Sequence, residues 1–595
     1  MAITLRTVTG STLTYEQVDE NFSSLIYSGS MSGSTLNLHY ISSAFAPADL
    51  HIPIISASFA NTSSYSKYLE GVSDILGYDT GSKSIWNRGI GNIIGNTSFG
   101  EQAFPVNTSG SGNTVLGYQS MFSNTEGFSN VANGYRALYN NSTGYLNIAI
   151  GGSTLYYNTT GYYNTGVGAN ALFSNTTGTR NTAIGKSALH SNTVGTNNVA
   201  VGSEALYSNT EGYDNIAIGF ETLTSNTEGY SNIANGSSAL YSNTTGYDNI
   251  ANGSNALSSN TTGYRNIANG TFALGNNTTG FYNIANGPYA LFNNTTGSYN
   301  IATGGGALSS NTTGYNNVAS GYNALYANTT GYRNIAIGTP VLTNNTTGRF
   351  NIAIGAQVLE NNTTGFSNTV VGDEAMTANT IGWANTVVGT NAFWGNTSGE
   401  WNAVLGAQAL PDSTTGHWNI AVGSYAGTGS ISGDSNIFIG TSSNTTYSSG
   451  SNQIVIGAGA QSNGANTVTL GNSSITGLYC NVQTITALSD KRDKTDVEDL
   501  NLGLNYINDL KPVKFKWDRR DGTFEGVKDI GFIAQELDST QEKFGYEEYT
   551  RLVDKKDSEK YYADYLRTYP ILIKAVQELS QQVEDLKTQL NTFKK

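Results

Sequence analysis

The sequence predicts a mainly β protein: a homotrimeric parallel β-roll or β-helix of 17-residue repeats, followed by a C-terminal α/β domain that ends in a coiled coil. Three observations predict it. One glycine recurs every 17 residues from Gly117 to Gly457. The composition trades charge for Gly, Asn, Thr, Ser and Tyr, with 70 glycines and 12% charged residues in 595. The C-terminus carries apolar residues at heptad spacing.

Residues 1–29 open the chain. Thr14, followed three residues later by Gln17, has the form of a capping box, and Leu13, Val18, Phe22 and Leu25 line one face of the helix it would start. This stretch resembles the short N-terminal segments of phage fibres, which implies attachment to a phage tail or baseplate protein. A plain capping helix for a trimer reads the same residues equally well. Residues 30–112 are aperiodic and rich in Ser and Tyr, as in a shaft or collar.

Residues 113–457 hold the repeat. From Gly117 to Gly457 there are 20 steps of 17 without an insertion. The unit reads roughly Asn-Ile-Ala-Ile-Gly-x-x-Ala-Leu-x-x-Asn-Thr-Thr-Gly-Tyr-x, and a looser copy is placed at Asn92-Ile93-Ile94-Gly95. Two glycines per unit break helices. One short strand, Asn-Ile-Ala-Ile, alternates with a turn in which Gly takes positive φ. Stacked units pair strands in register, and the Asn repeated at 249, 266 and 283 forms amide ladders. At about 4.8 Å per coil the stack spans on the order of 95 Å. So thin a coil buries little alone, which is why three chains are expected to bury the Ile, Ala and Leu faces together. The residue before the repeat Gly is aliphatic at Ile150, Val167, Ile184, Val201 and Ile218. It is polar at Asn235, Asn252, Asn269, Asn286, Thr303 and Ser320, then aliphatic again from Ile337. Its aliphatic flanks place it on the core side, so a buried Asn ladder is expected there, completed by water or an ion on the trimer axis. The strand-turn motif resembles the head repeats of trimeric autotransporter adhesins, which form parallel β-rolls; similar repeats occur in phage fibres.

Net charge is −14, and 19 of the 29 basic residues follow Leu488. The body has no basic patch of the kind nucleic acid requires. One Cys and four His offer no disulfide framework and no convincing zinc site. No metal, cofactor or membrane insertion is expected. The N-terminus lacks the pattern of a signal peptide, so synthesis in the host cytoplasm is expected, with the Asn-Thr-Thr stretches read as turns rather than glycosylation sites.

After Gly471 the repeat fades, and residues 458–488 form its distal end. Charge then rises at Ser489-Asp490-Lys491-Arg492-Asp493-Lys494. Pro512–Trp517 reads as a strand, Gly531–Leu537 follows it, and Leu572, Val576, Leu579, Val583, Leu586 and Leu590 make a heptad seam. Residues 489–595 resemble the self-cleaving intramolecular chaperone of phage tail spikes, tail fibres and endosialidases. Three pieces carry the match: Leu488-Ser489-Asp490 with Arg492 and Lys494, then Gly531–Leu537, then Tyr561 through Leu579 into the coiled coil. The resemblance implies that the segment templates a trimer and cuts before Ser489, with Ser489 as nucleophile and Lys494 as its base. Asp493 stands where that family usually has an apolar residue. The chemistry is coherent, since a Ser hydroxyl needs a neutral amine or imidazole to take its proton. Read alone, Ser489-Asp490 is equally a turn cap in a charged linker.

Trp383, Trp394, Trp401 and Trp418 crowd the late coils, as a receptor-binding surface or as filling for a wider core. The function expected is that of a phage tail fibre or spike in the virion, adhering to a host surface glycan or protein. A polysaccharide depolymerase is the alternative from another class, although no carboxylate pair stands out. A purely structural fibre is the third.

Overall fold

The computed structural model describes residues 95–475, 477–479, 492, 494–518, 525–557 and 560–594, preceded by four short strands. Thr35–His39 pairs antiparallel with Asp49–Pro53, and Gly77–Asp79 with Ser84–Trp86. The helix expected around Leu13–Leu25 lies outside the described residues. The chain divides into two units, Met1–Asn197 and Asn198–Lys595.

The first unit contains six coil strands, from Thr97–Phe99 to Thr182–Ile184, each paired parallel and in register with the next. The coils begin earlier than residue 113. Thr97-Ser98-Phe99 pairs with Thr114-Val115-Leu116, so Asn96–Gly100 is a further copy in step with the 17-residue period; the looser copy placed at Asn92–Gly95 lies, except for Gly95, outside the described residues. Ser98 in place of Ala and Phe99 in place of Ile hide the Asn96–Gly100 copy in the sequence. The second unit contains seventeen more strands, from Val199–Val201 to Val468–Leu470. Its last step, from Ile454 to Val468, is shortened, which carries the coils past Gly457.

Each coil has one three-residue strand, and its middle residue points inward. Ala251 and Leu257 are fully buried within the single chain. Ile250 and Asn252, on either side of Ala251, point out. This corrects two expectations. The Ala and Leu faces need no second chain to cover them, and the residue before the repeat Gly is not on the coil's core side. Asn235 and Asn252 are exposed, and Asn269 and Asn286 half-buried. They still pair along the column, with Asn235 Nδ2 donating to Asn252 Oδ1 at 3.2 Å and Asn269 Nδ2 to Asn286 Oδ1 at 2.9 Å.

The buried amide ladders lie elsewhere. The Asn that opens each strand forms the expected one. Asn266 donates its backbone N–H and its Nδ2 to Asn249 Oδ1 at 3.0 and 3.2 Å, and Nδ2 also reaches the Gly280 carbonyl at 2.9 Å. A second ladder runs through the Asn of Asn-Thr-Thr, where Asn260 Nδ2 donates to Asn243 Oδ1 at 2.8 Å and to the Gly263 carbonyl at 2.9 Å. An amide has an acceptor and two N–H donors, so each Asn bonds both its stacked neighbour and a glycine carbonyl, which a one-donor hydroxyl or an acceptor-only carboxylate does not. That is why a fully buried polar column is tolerated.

The repeat glycine is required by the same stacking. Gly253 has φ +139°, and a Cβ there would lie 2.6 Å from the carbonyl carbon and oxygen of Gly270 in the next coil. Non-glycine residues also take positive φ in each coil, for example Asp248, Asn255 and Leu257 at 53–56°. This conformation costs roughly 1–2 kcal/mol per residue, and burying Leu257 offsets it by about 1.5–3 kcal/mol.

In two places a larger inward side chain is matched by a glycine in its neighbour. Where Thr154 replaces the small inward Ala, the neighbouring strand has Gly166, whose added Cβ would meet Thr154 Cγ2 at 2.5 Å. Where Phe438 takes the strand position, Gly427 stands in place of Leu, and its Cβ would meet the Phe438 ring at 2.9 Å.

The C-terminal segment has its own small core. Helix α1 spans Leu504–Asp509, α2 Ala534–Phe544, α3 Glu547–Thr550 and α4 Tyr569–Phe593, with Pro570 in the first turn of α4. Val513–Lys516 pairs antiparallel with Lys528–Gly531, and Val553–Asp557 with Lys560–Ala563. Leu502, Tyr506, Leu537, Leu552, Val553 and Ile571 meet in the core. Glu578 of α4 accepts the Leu504 N–H at 2.7 Å, tying α4 to the start of α1. A Cβ on Gly503 would strike that carboxylate at 2.3 Å.

Candidate functional site

Three places on the chain carry chemistry. The first is the aromatic column that follows each Asn-Thr-Thr-Gly turn. Because the coils stack in register, Tyr213, Tyr230, Tyr247, Tyr264 and Phe281 lie face to face with centroids 4.9–5.0 Å apart. A ring inside such a stack has both faces covered and presents only its edge. Arg349 replaces one ring and lies 4.8 Å over Phe366. Trp383 stacks on the other side of Phe366 at 5.0 Å.

The structure brings part of the tryptophan set together. Trp401 meets Trp383 edge-on at 5.1 Å. Trp418 occupies the same register as Trp401 one coil further on, and its ring lies 5.7 Å from His417. Trp394 stands on the turn after strand Thr386–Val388 and touches none of the other three among the described ring contacts. Trp394, Trp401 and Trp418 are 49–56% exposed, so they do not fill a wider core. His417 Nδ1 accepts the Glu400 N–H at 3.2 Å, and the His417 N–H donates to Asp434 Oδ1 at 2.8 Å, which fixes the turn beside Trp418.

The second place is the segment around Ser489. Leu488 and Ser489 lie outside the described residues. Lys494 is exposed in the single chain. Downstream, the Gly531–Leu537 motif leaves a strand and enters α2. Gln541 of α2 is buried: its Oε1 accepts from the Leu552 N–H and the Thr550 hydroxyl, each at 3.1 Å, and its Nε2 donates to Asp538 Oδ1 at 2.9 Å. Lys555 closes on Asp538 at 2.6 Å and Glu542 at 3.1 Å, and these hydrogen bonds raise its pKa. The heptad residues Leu572, Val576, Leu579, Val583, Leu586 and Leu590 are all exposed, while Ile571 and Ala575 face the core.

The third place was not singled out from sequence. A cleft of about 470 Å³ lies over Gly305 and Gly306, lined by Pro288, Tyr289, Phe292, Tyr322, Asn323 and Tyr326 among others. The signal for it was present as Gly304-Gly305-Gly306, the one repeat in which two residues that elsewhere carry side chains are both glycine.

Residues 489–546 match the family model described as "Chaperone of endosialidase". No curated protein and no solved structure matches the chain. Among the described residues, no helix is long and apolar enough to cross a membrane.

Proposed function

We propose that the protein is a trimeric phage tail fibre or tail spike that adheres to a bacterial surface, and that its C-terminal segment templates the trimer and then cuts itself off before Ser489. One observation carries this reading: a chaperone-of-endosialidase segment at 489–546 follows directly on a β-solenoid body. Two unpartnered apolar surfaces support the trimer. Outward strand residues such as Ile216, Ile233, Ile250 and Ile301 are 36–43% exposed in one chain, and the α4 seam is uncovered along its length.

In the cleavage step, Ser489 Oγ attacks the Leu488 carbonyl carbon while Lys494 takes the hydroxyl proton. The C–N bond breaks, the proton passes to the leaving nitrogen, and an ester joins Leu488 to Ser489 Oγ. Water then hydrolyses the ester to a Leu488 carboxylate and a free Ser489 amine. Trp383, Trp401 and Trp418 are the receptor surface in this reading, with Trp394 a separate contact. The N-terminal segment binds the tail or baseplate.

Mass spectrometry of the expressed protein tests the cut. We expect a fragment ending at Leu488, and an uncut, folded trimer for Ser489→Ala. A Leu488-terminated fragment from that variant removes Ser489 as nucleophile. A sedimentation mass of one chain for the cut body removes the trimer.

A further inference from the structure

We propose that the cleft over Gly305 binds one neutral pyranose ring of a glycan, held between Pro288 of the preceding coil and Tyr322 of the following one. The site deepens the adhesion reading by naming a ligand class, and it lies apart from the tryptophan surface.

Stacking in register makes each coil repeat the surface of its neighbour. At the two positions after the repeat Gly, one coil has Pro288 and Tyr289, the next has Gly305 and Gly306, and the next has Tyr322 and Asn323. Three residues further on from these the series is Phe292, Ser309, Tyr326. One coil thus lacks large side chains between two that are rich in rings.

The width of the gap identifies what fits. A Cβ built on Gly305 would lie 3.6 Å from the Tyr322 ring and 3.7 Å from Pro288 Cγ. These are optimal carbon–carbon contacts on both sides, so the slot admits one layer of carbon. Tyr289 has one face on Phe272, at 5.4 Å, and meets Phe292 edge-on at 5.6 Å; its column stops at Gly306, where the Asn323 side chain leans in, 2.4 Å from a Cβ built there. Tyr322, 62% exposed, has no ring partner among the described contacts. A pyranose offers a face of C–H groups for such rings and equatorial hydroxyls at its rim. Asn293, Asn323 and Ser309 stand at the cleft to meet those hydroxyls. No lining residue is charged, which favours a neutral sugar over a uronic or sialic acid. The volume, about 470 Å³, suits a small ligand. No strand residue lines the cleft.

Saturation-transfer NMR on the full chain tests the site, using the methyl glycosides of glucose, galactose, mannose and N-acetylglucosamine as probes and N-acetyl-phenylalanine amide as an apolar control. We expect transfer from the protein to the C–H face of at least one glycoside. Gly305→Tyr should lower it at least fivefold. That variant has room for its Cβ, and Tyr is already accepted in the same register at Tyr322, so circular dichroism should show an unchanged fold. Tyr322→Ala should also lower transfer, and Trp401→Ala should leave it intact. No transfer to any of the four glycosides, equal transfer in wild type and Gly305→Tyr, or stronger transfer to the phenylalanine amide would each overturn the site. Cell adhesion is a separate readout. A fibre that binds sugar here but holds no cells refutes adhesion alone, and one that holds cells with an empty cleft refutes this site alone.

Discussion

In the coil around Ile250–Asn266, the Asn amides are satisfied by the coils above and below, and Ala251 and Leu257 are buried by the same chain. In the C-terminal segment, a six-residue core supports a 25-residue helix whose apolar seam faces outward. The coil has a neighbour on each side because the chain itself supplies one every 17 residues. Helix α4 packs Ile571 and Ala575 on the small core, and among the described residues nothing covers the rest of its apolar seam. A repeat can therefore close its own interior and leave only a surface stripe for partners, whereas a lone heptad helix depends on partners for most of its apolar area.

If the coils depend on mutual stacking, their glycines should be the most sensitive positions. Gly253→Ala forces a Cβ to 2.6 Å from the next coil's backbone. We expect a loss above about 4 kcal/mol, read as collapse of hydrogen-exchange protection across residues 233–287. Gly305→Ala, with open contacts, should leave protection unchanged. Equal sensitivity of the two would break the comparison.

The inward and outward amides sharpen it further. Asn266→Ala strips the acceptor from two donors of Asn283 and the donor from the Gly280 carbonyl. At roughly 1–3 kcal/mol per unsatisfied buried group, the loss should be on the order of 3–5 kcal/mol. Asn252→Ile, outward in the strand column, restores the residue found at Ile218 and should change stability by less than about 1 kcal/mol. Urea unfolding of the two variants distinguishes a buried ladder from a surface one.

The smallest effect belongs to the tail. The Tyr506 hydroxyl is buried in the C-terminal core, and burial, partly offset by Thr550 beside it, pushes its pKa up to about 12. Its folded value lies above the unfolded one, near 10, so the stability of its neutral form is full below pH 10 and lost as pH rises through 12. Tyr506→Phe should differ from wild type by less than about 1 kcal/mol at pH 7. It should unfold less readily than wild type between pH 10 and 12. A flat difference between the two across that window would show that the phenol is not desolvated.

The sequence by itself determined the period, the single strand per coil, the strand-opening Asn ladder and the heptad helix. Each follows from spacing, and spacing survives without coordinates. Gly117 through Gly457 were legible because a stacked backbone permits no side chain there. Of the site, the Trp residues and the Gly531–Leu537 motif could be named, but only stacking decided that Trp383 and Trp401 touch while Trp394 stands apart. Tertiary structure alone decided which strand face is inside. Ile-Ala-Ile alternates equally well either way, and greater hydrophobicity pointed to the Ile face. The coil interior, already occupied by Leu257 and two Asn columns, takes only the middle side chain of each strand, so Ile250 and Asn252 on either side of Ala251 face out. Stacking also hid the cleft: Gly305 means nothing in one repeat and becomes a slot only when Pro288 and Tyr322 are stacked on either side.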